Sequence, residues 1–378
     1  MSILAILKET KSNEARTSAS VDAVKKYIAL GFDVCVEKGA GLQSNISDEA
    51  FTAAGATLEK DAATTVANAD IVLCVNMPDI ATQSAMKSDS ALIGMLAPLD
   101  AKSDFSTLCE KNILGFALEL LPRISRAQSM DVLSSQSNLA GFRAVIEAVA
   151  NSAKATPMMM TAAGTVAPAK TLVIGAGVAG LQAIATAKRM GSVVSAFDVR
   201  PAVKEQVQSL GAKYVEVPAP AESAETAGGY AKEMSEDYKK AQSKAMHEVL
   251  KTQDIVISTA LIPGKPAPEL ITDAMLRDMK QGSVIVDLAA ASGGNCKATI
   301  ADEVTQKYGV TLIGYTNMPS RVASDATPLY ARNLYNFIST LMINKEKQFA
   351  IDWEDELIKG TLITQKGAIV HPMLTQAA

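Results

Sequence analysis

Short apolar runs recur along the first third of the chain, separated by stretches whose hydrophobic positions follow helical spacing. "ILAIL" (3–7), "FDVCVE" (32–37), "DIVLCV" (70–75), "SALIGML" (90–96) and "NILGFAL" (112–118) read as strands. Residues 20–30 and 47–54 between them read as helices. Strands alternating with helices predict parallel βαβ units with both sheet faces covered. A long helical pattern over 131–150 follows, rich in Ala, Val, Ile and Leu. The alternation then restarts at "KTLVIG" (170–175) and continues through "SVVSAFD" (192–198), "DIVIST" (254–259), "GSVIVDL" (282–288) and "GVTLIG" (309–314), which describes a second open sheet. Another long helix over 325–342 and a polar tail with short strand-like pieces end the chain.

Two long helices bracketing the second sheet predict a chain that leaves one domain, builds another and returns. The outer domain is expected over 1–130 and 320–378, and the inner one over 131–319. One stretch interrupts the inner pattern: "VPAPAESAETAGGYAKEM" (217–234), too long and too rich in Pro, Ala and Gly for an ordinary connection. It reads either as an inert insertion or as a mobile lid over a site.

Length and composition agree with two globular domains: 378 residues, of which 48% are hydrophobic. The 36 basic and 40 acidic residues leave a formal charge of −4 and no basic stripe, which argues against a nucleic-acid surface. Cys35, Cys74, Cys109 and Cys296 form no CxxC pair, so no metal cage or disulfide framework is expected and a reducing compartment fits. Cys35 and Cys74 fall in apolar runs and read as buried thiols. His247 and His371 have no ligand-spaced neighbours and read as surface or structural residues. The apolar start "MSILAILKET" is too short for a signal-peptide core or a membrane span, and no later run approaches one.

Candidate chemistry begins at "TLVIGAGVAGLQAIATAKRMG". Gly175, Gly177 and Gly180 follow a strand and open a helix. In that context the first allows the turn, the second lets backbone approach a pyrophosphate, and the third permits close helix–strand packing. The helix N-terminus adds N–H groups and positive potential. Asp198 ends the next strand, eighteen residues past Gly180, where a carboxylate accepts from a ribose 2′-hydroxyl and repels a 2′-phosphate. Arg200 complicates that choice, because arginine here accommodates a 2′-phosphate, but the acid at the strand end takes precedence. The fold expected is therefore α/β, with two Rossmann-like open parallel-sheet domains, long joining helices and a cleft between the domains.

"PRISRAQSMDVLSSQSN" (122–138) is polar yet lacks histidine, cysteine and paired carboxylates. A loop running into a helix, with Ser129 or Asp131 as N-cap, explains one or two of its residues. It leaves Arg123, Arg126, Gln128, Ser134 and Asn138 unexplained. Arginine neutralises phosphate, whereas Gln, Asp and Ser match a carboxamide and ribose hydroxyls.

The blocks "PRISRAQSMDVLSSQSNLAGFRAV", "TAAGTVAPAKTLVIGAGVAGLQAIATAKR", "ETAGGYAKEM", "STALIPGKPAP" and "GSVIVDLAAASGGNC" resemble, nearly end to end, the NAD(H)-binding domain of proton-translocating NAD(P) transhydrogenases. The resemblance implies that Arg123, Gln128 and Asp131 form a loop over the nicotinamide end of NADH, with Ser129, Met130 and Ser134 in the same pocket wall. It implies further cofactor contacts from Val178, Asp198, Val199, Arg200, Gly229, Gln242 and Leu261. Tyr230 and Met234 would belong to a mobile loop, which favours the lid. Two departures stand out: "NEARTSASVDA" lacks the proline that commonly begins the first helix, and Phe142 replaces a common tyrosine.

The family is also similar in fold to alanine dehydrogenase, which moves protons as well as hydride and needs an acid/base group and a cation for the substrate carboxylate. Relatives of that kind carry a lysine near "CVNMP" and a histidine in the segment matching "MLAPLD". Here Asn76 and Ala97 or Pro98 stand at those places, and Arg16 alone remains. Transfer between two nicotinamide rings moves no proton at the reacting carbons, so positioning suffices.

No second fingerprint with an NADP-type selector appears, so the acceptor ring is expected on a partner, an NADP(H)-binding component. The resemblance further implies a membrane-spanning component that couples transfer to proton movement. The resemblance implies a Si-specific/Re-specific enzyme, active only with that partner. It implies a homodimer, in the cytoplasm or an equivalent reducing compartment, peripheral to the membrane through its partners. A sensor of NAD(H) redox state is the non-enzymatic alternative. Met158, Met159 and Met160 read as core residues rather than a partner surface.

Overall fold

The computed structural model describes residues 2–217, 235–262 and 264–375. Apart from Val217, the expected loop over 217–234, with Gly229, Tyr230 and Met234, lies outside the described residues. The chain divides into two compact units, Met1–Gln136 with Ser320–Ala378, and Ser137–Pro319.

Strands β1 (Ser2–Ile6), β2 (Phe32–Glu37), β3 (Thr57–Glu59), β4 (Ile71–Asn76), β5 (Ala91–Met95) and β6 (Leu114–Ala117) come first. A hairpin of β7 (Met159–Thr161) and β8 (Gly164–Val166) precedes β9 (Lys170–Ile174), β10 (Val193–Phe197), β11 (Lys213–Tyr214), β12 (Ile255–Ser258) and β13 (Val284–Asp287). Then come β14 (Val304–Lys307), β15 (Val310–Ile313), β16 (Leu362–Gln365) and β17 (Ala368–Ile369).

The first unit's sheet runs β17-β16-β6-β5-β4-β1-β2-β3, and the second unit's runs β11-β10-β9-β12-β13-β15-β14. Counted from each sheet's own first strand, both share the doubly wound order 3-2-1-4-5. A sixth parallel strand follows, β6 in the first sheet and β15 in the second, and antiparallel pairing is confined to that edge, with β16 and β17 in the first and β14 in the second. In that order, ligands lie beyond the carboxyl ends of the strands where the winding reverses, here beside β1 and β9.

Strand chemistry explains the sheets. β4, "IVLCVN", is buried at its first five positions, as a central strand covered on both faces requires. In β2, Phe32, Val34 and Val36 point inward and Asp33 outward. Cys74 is buried as expected, whereas Cys35, on the outward alternation of β2, is only partly so. The helix Ala323–Leu341 lays Tyr330, Leu334 and Phe337 into the first core, where Phe337 meets Phe116 edge-on with ring centroids 6.1 Å apart. The first helix, Val21–Ala29, starts without proline because the Ser20 side chain accepts from the Ala23 N–H at 3.2 Å.

The expected core role of the methionine run is wrong. Met158, Met159 and Met160 are 61%, 43% and 81% exposed. The hairpin pairs only with itself, so no sheet face covers these side chains. β3 and β11 escaped sequence reading because three- and two-residue strands carry no usable alternation.

Within the second unit, the helices Val132–Ala150 and Val178–Arg189 meet at Gly141. A methyl group there would lie 2.0 Å from the carbonyl oxygen of Ala179. Gly141→Ala must therefore push the helices apart at the start of the glycine-led helix. We expect a cost of about 1–3 kcal/mol, read as a lower melting temperature by circular dichroism. An unchanged melting temperature would mean the crossing relaxes freely.

Candidate functional site

The glycine turn follows β9. Gly175 has φ of +92°, in the left-handed region that glycine enters without strain. A methyl on Gly180 would sit 1.8 Å from the Gly175 carbonyl oxygen, so the strand end and the helix touch backbone to backbone. Gly177 is the N-cap of the helix Val178–Arg189 and offers no capping side chain. Ser20, Ser47, Asp61, Asp79, Ser235, Thr272 and Asp355 all cap their own helices. The uncapped first turn suits an anion, and beside Gly177 there is open backbone where a side chain would otherwise stand. The Val178 side chain is 42% exposed at this helix start.

Neighbouring strand ends hold the turn. Thr259, after β12, donates its hydroxyl to the carbonyls of Ile174 (3.2 Å) and Gly175 (3.1 Å). Asn295 is fully buried and ties the segment after β12 together. Its side chain accepts from Ser258 Oγ (2.6 Å) and the Ala260 N–H (3.2 Å), and donates to the Ala260 and Pro268 carbonyls, both at 2.9 Å. Sequence reading singled out neither residue for this role. A strand-end "ST" and a buried Asn thirty-six residues on carry no spacing signal.

Asp198 lies beside the turn, its side chain 4% exposed. It accepts from the Ala176 N–H at 2.7 Å and the Arg200 N–H at 2.8 Å. Arg200 closes over it, Nε to Oδ1 at 3.0 Å and Nη2 to Oδ2 at 2.8 Å. Tyr214 donates to the Asp198 carbonyl at 2.5 Å, and burial pushes its phenol up to about 12. Val199 packs against the core beneath, Gln242 is buried on the helix Glu236–Leu250, and Leu261 is 44% exposed. Glycines, acid and Arg200 thus come together within the second unit, and their residue types suit a dinucleotide.

The predicted polar loop belongs to the first unit. Residues Ser125–Met130 form a 3-10 helix, with Ala127 and Met130 buried and Arg123, Gln128 and Ser129 exposed. Met130 lies in the core, so only its backbone is available to a pocket wall. Asn333 and Asn336 donate to the Ser129 carbonyl at 2.8 and 3.0 Å, which fixes the loop. Asp131 caps the helix Val132–Ala150, accepting from the Ser134 N–H (2.9 Å) and Oγ (2.5 Å). Arg126 is committed elsewhere, in a forked pair with Asp355 at 2.8 and 2.9 Å.

The first unit's own reversal point carries no glycine turn. After β1, Glu9 accepts from the Val75 N–H (2.5 Å), the Asn76 N–H (3.1 Å) and Asn76 Nδ2 (2.9 Å). Arg16 is held by Glu14 at 2.8 and 2.7 Å and donates to Gln136 at 2.9 Å, all three side chains buried. Burial opposes ionisation of Glu14, but the Arg16 hydrogen bonds and charge outweigh it and hold the carboxyl at about 2. For Glu9, burial wins over its donors and lifts it to about 7.

With this geometry in view, two family models cover nearly the whole chain: "Alanine dehydrogenase/PNT, N-terminal domain" over residues 5–140 and "Alanine dehydrogenase/PNT, C-terminal domain" over 144–372. The chain belongs to the alanine dehydrogenase/PNT family. Its near relatives there are transhydrogenases. The first part of NAD(P) transhydrogenase subunit alpha from Rhodospirillum rubrum is 52% identical over 378 residues, 98% of each chain. The solved transhydrogenase from Sinorhizobium meliloti superposes with a TM-score of 0.86 at 46% identity, covering 98% of this chain and 99% of that one. An L-alanine dehydrogenase shares the fold, with a TM-score of 0.83 at 22% identity over 99% and 98% of the two chains. Members of the family bind NAD(H). No helix among the described residues is long and apolar enough to cross a membrane.

The two buried acids set opposite pH trends. Glu9 favours the folded state fully below about 4.5 and loses that contribution as pH rises through about 7. Glu14 favours it above about 4.5 and loses that contribution as pH falls toward about 2. Glu9→Gln should therefore flatten the fall in melting temperature between about pH 5 and 8. An unchanged slope would assign that fall to other groups.

Proposed function

We propose that this chain is the NAD(H)-binding component of a proton-translocating NAD(P) transhydrogenase. Its task is to pass hydride directly between NADH and NADP+ held on a partner component. The observation that carries the reading is the glycine turn with Asp198 at the next strand end, in a chain alike over its whole length to transhydrogenase alpha subunits. Bound NAD(H) supplies the hydride chemistry, and the residues present bind and orient. Gly175, Gly177 and Gly180 let backbone N–H groups reach the pyrophosphate, Asp198 accepts from the adenosine ribose, and Val178, Val199, Gln242 and Leu261 complete the walls. Gly229 and Tyr230 are proposed contacts from the loop outside the described residues.

Arg123, Gln128 and Asp131 position the nicotinamide end, with Ser129, the Met130 backbone and Ser134 beside them. Asp131 keeps acceptor capacity beyond its two bonds to Ser134, enough for a carboxamide N–H or ribose hydroxyl. Hydride transfer needs the two ring carbons about 3–3.5 Å apart with water excluded, and no proton donor. The absence of a histidine from 122–138 fits that chemistry.

The amino-acid dehydrogenase reading is disfavoured by a specific contact. Arg16, the cation that a substrate carboxylate would need, is already forked onto Glu14, and Asn76 bridges Glu9 and Glu14 at 2.9 and 3.0 Å. We further propose a Si-specific/Re-specific enzyme, active with an NADP(H)-binding component and a membrane-spanning one, and a homodimer. The exposed Met158–Met160 hairpin supports a protein contact.

Adding the complementary NADP(H)-binding component should give fast transfer between bound nucleotides, where the chain alone binds NADH with little turnover. Good alanine oxidation by the isolated chain would overturn the reading, and binding without ring-to-ring turnover would point to a sensor. Gln128→Ala should slow single-turnover transfer by about 10²-fold or more while changing NADH affinity little. Loss of affinity with an intact transfer rate would reduce the loop to a clamp.

A further inference from the structure

The carboxylate assigned to read the ribose is fully engaged in this structure. A carboxylate offers about four lone-pair sites, and Asp198 receives four N–H donors: Ala176 N, Arg200 N, Arg200 Nε and Arg200 Nη2, at 2.7, 2.8, 3.0 and 2.8 Å. The two backbone donors belong to the glycine turn and the strand end, and cannot leave without dismantling both. The two guanidinium donors sit on a side chain 14% exposed, so a ribose diol must take their place to reach the carboxylate.

The guanidinium also marks out the place it fills. Its Nη2 is the nearest atom, at 3.9 Å, to a methyl placed on Gly177, the glycine beside which the pyrophosphate must pass. A guanidinium edge presents two parallel N–H donors to the two carboxylate oxygens. The vicinal 2′- and 3′-hydroxyls of a ribose present two neighbouring O–H donors to the same edge. We propose that Arg200 is an internal occupant of the ribose subsite, which the adenosine ribose diol of NAD(H) displaces on binding. This rests on the nucleotide reading of the site made above.

The exchange has a physical logic. A buried carboxylate left without donors would be costly, and Arg200 keeps it hydrogen-bonded until a diol replaces it. The arrangement lowers apparent affinity, because only the fraction of molecules with Arg200 swung out can accept ribose. A ligand without the diol cannot take over both bonds and leaves Arg200 in place.

Adenosine isolates this exchange from any phosphate contact that the displaced arginine makes. Calorimetry with Arg200→Met should show adenosine binding about tenfold tighter than in the parent chain. The gain should disappear with 2′-deoxyadenosine. Equal or weaker adenosine binding in Arg200→Met, with its melting curve cooperative, would overturn the proposal. Arg200→Lys, which keeps the charge but not the fork, should give an intermediate gain, and a gain equal to that of Arg200→Met would assign the effect to the fork alone and still support it.

A second readout needs no variant. The Arg200 Nε proton should be protected from exchange in the free chain and lose that protection on saturation with adenosine. Protection that persists in the complex would sink the exchange. Failure of the parent chain to bind NADH at all, or indifference of adenosine binding to Asp198→Asn, would instead refute the underlying nucleotide reading.

Discussion

The contact on which the rest of the second unit depends is backbone against backbone. With Gly180 within reach of the Gly175 carbonyl, the helix Val178–Arg189 starts directly on the end of β9, and no side chain larger than hydrogen fits between them. The first-turn N–H groups therefore face the space beyond the strand ends. A second close approach, Gly141 against Ala179, lays the helix Val132–Ala150 on the same turn. Thr259 bonds the turn from the end of β12, and Asn295 in turn ties down the segment after β12, so the turn's surroundings come from parts of the chain far apart in sequence.

The two units make an internal comparison. Both wind in the same order over their first five strands, so both place a reversal point beside their first strand. In the second unit that point is open backbone flanked by an acid. In the first it is filled by Glu9, Glu14, Arg16, Asn76 and Gln136, which satisfy one another. Topology supplies the crevice twice, and side-chain chemistry decides which one is left for a ligand. Charge handling follows the same contrast: Glu14 is held ionised by a buried arginine, whereas Glu9, with only neutral donors, is driven toward its protonated form.

Much of the fold was legible in the sequence, because long apolar runs with turn signals leave few alternatives. The strands that form the centre of both sheets lie within two or three residues of their expected bounds, and the glycine spacing located the turn. What stayed hidden has physical causes. The methionine run looks like core by composition, yet it sits on a hairpin with no sheet behind it. Met130 looks like a neighbour of the polar residues around it, yet the 3-10 turn rotates it into the core. Arg126, close to Arg123 in the same loop, is spent on Asp355, a partner more than two hundred residues away.

The sequence alone determined that this is an α/β chain with one glycine turn led by a strand and followed by a strand-end acid. Those properties depend on local spacing and on the periodicity of burial. Tertiary structure decided which polar groups are still available. That Asp198 is saturated by Arg200, that Arg16 is held between Glu14 and Gln136, and that Arg126 is spent on Asp355 are outcomes of side chains meeting in space. Hydrogen-bonding capacity is finite, so the role left to a polar residue follows from the partners that the fold brings to it.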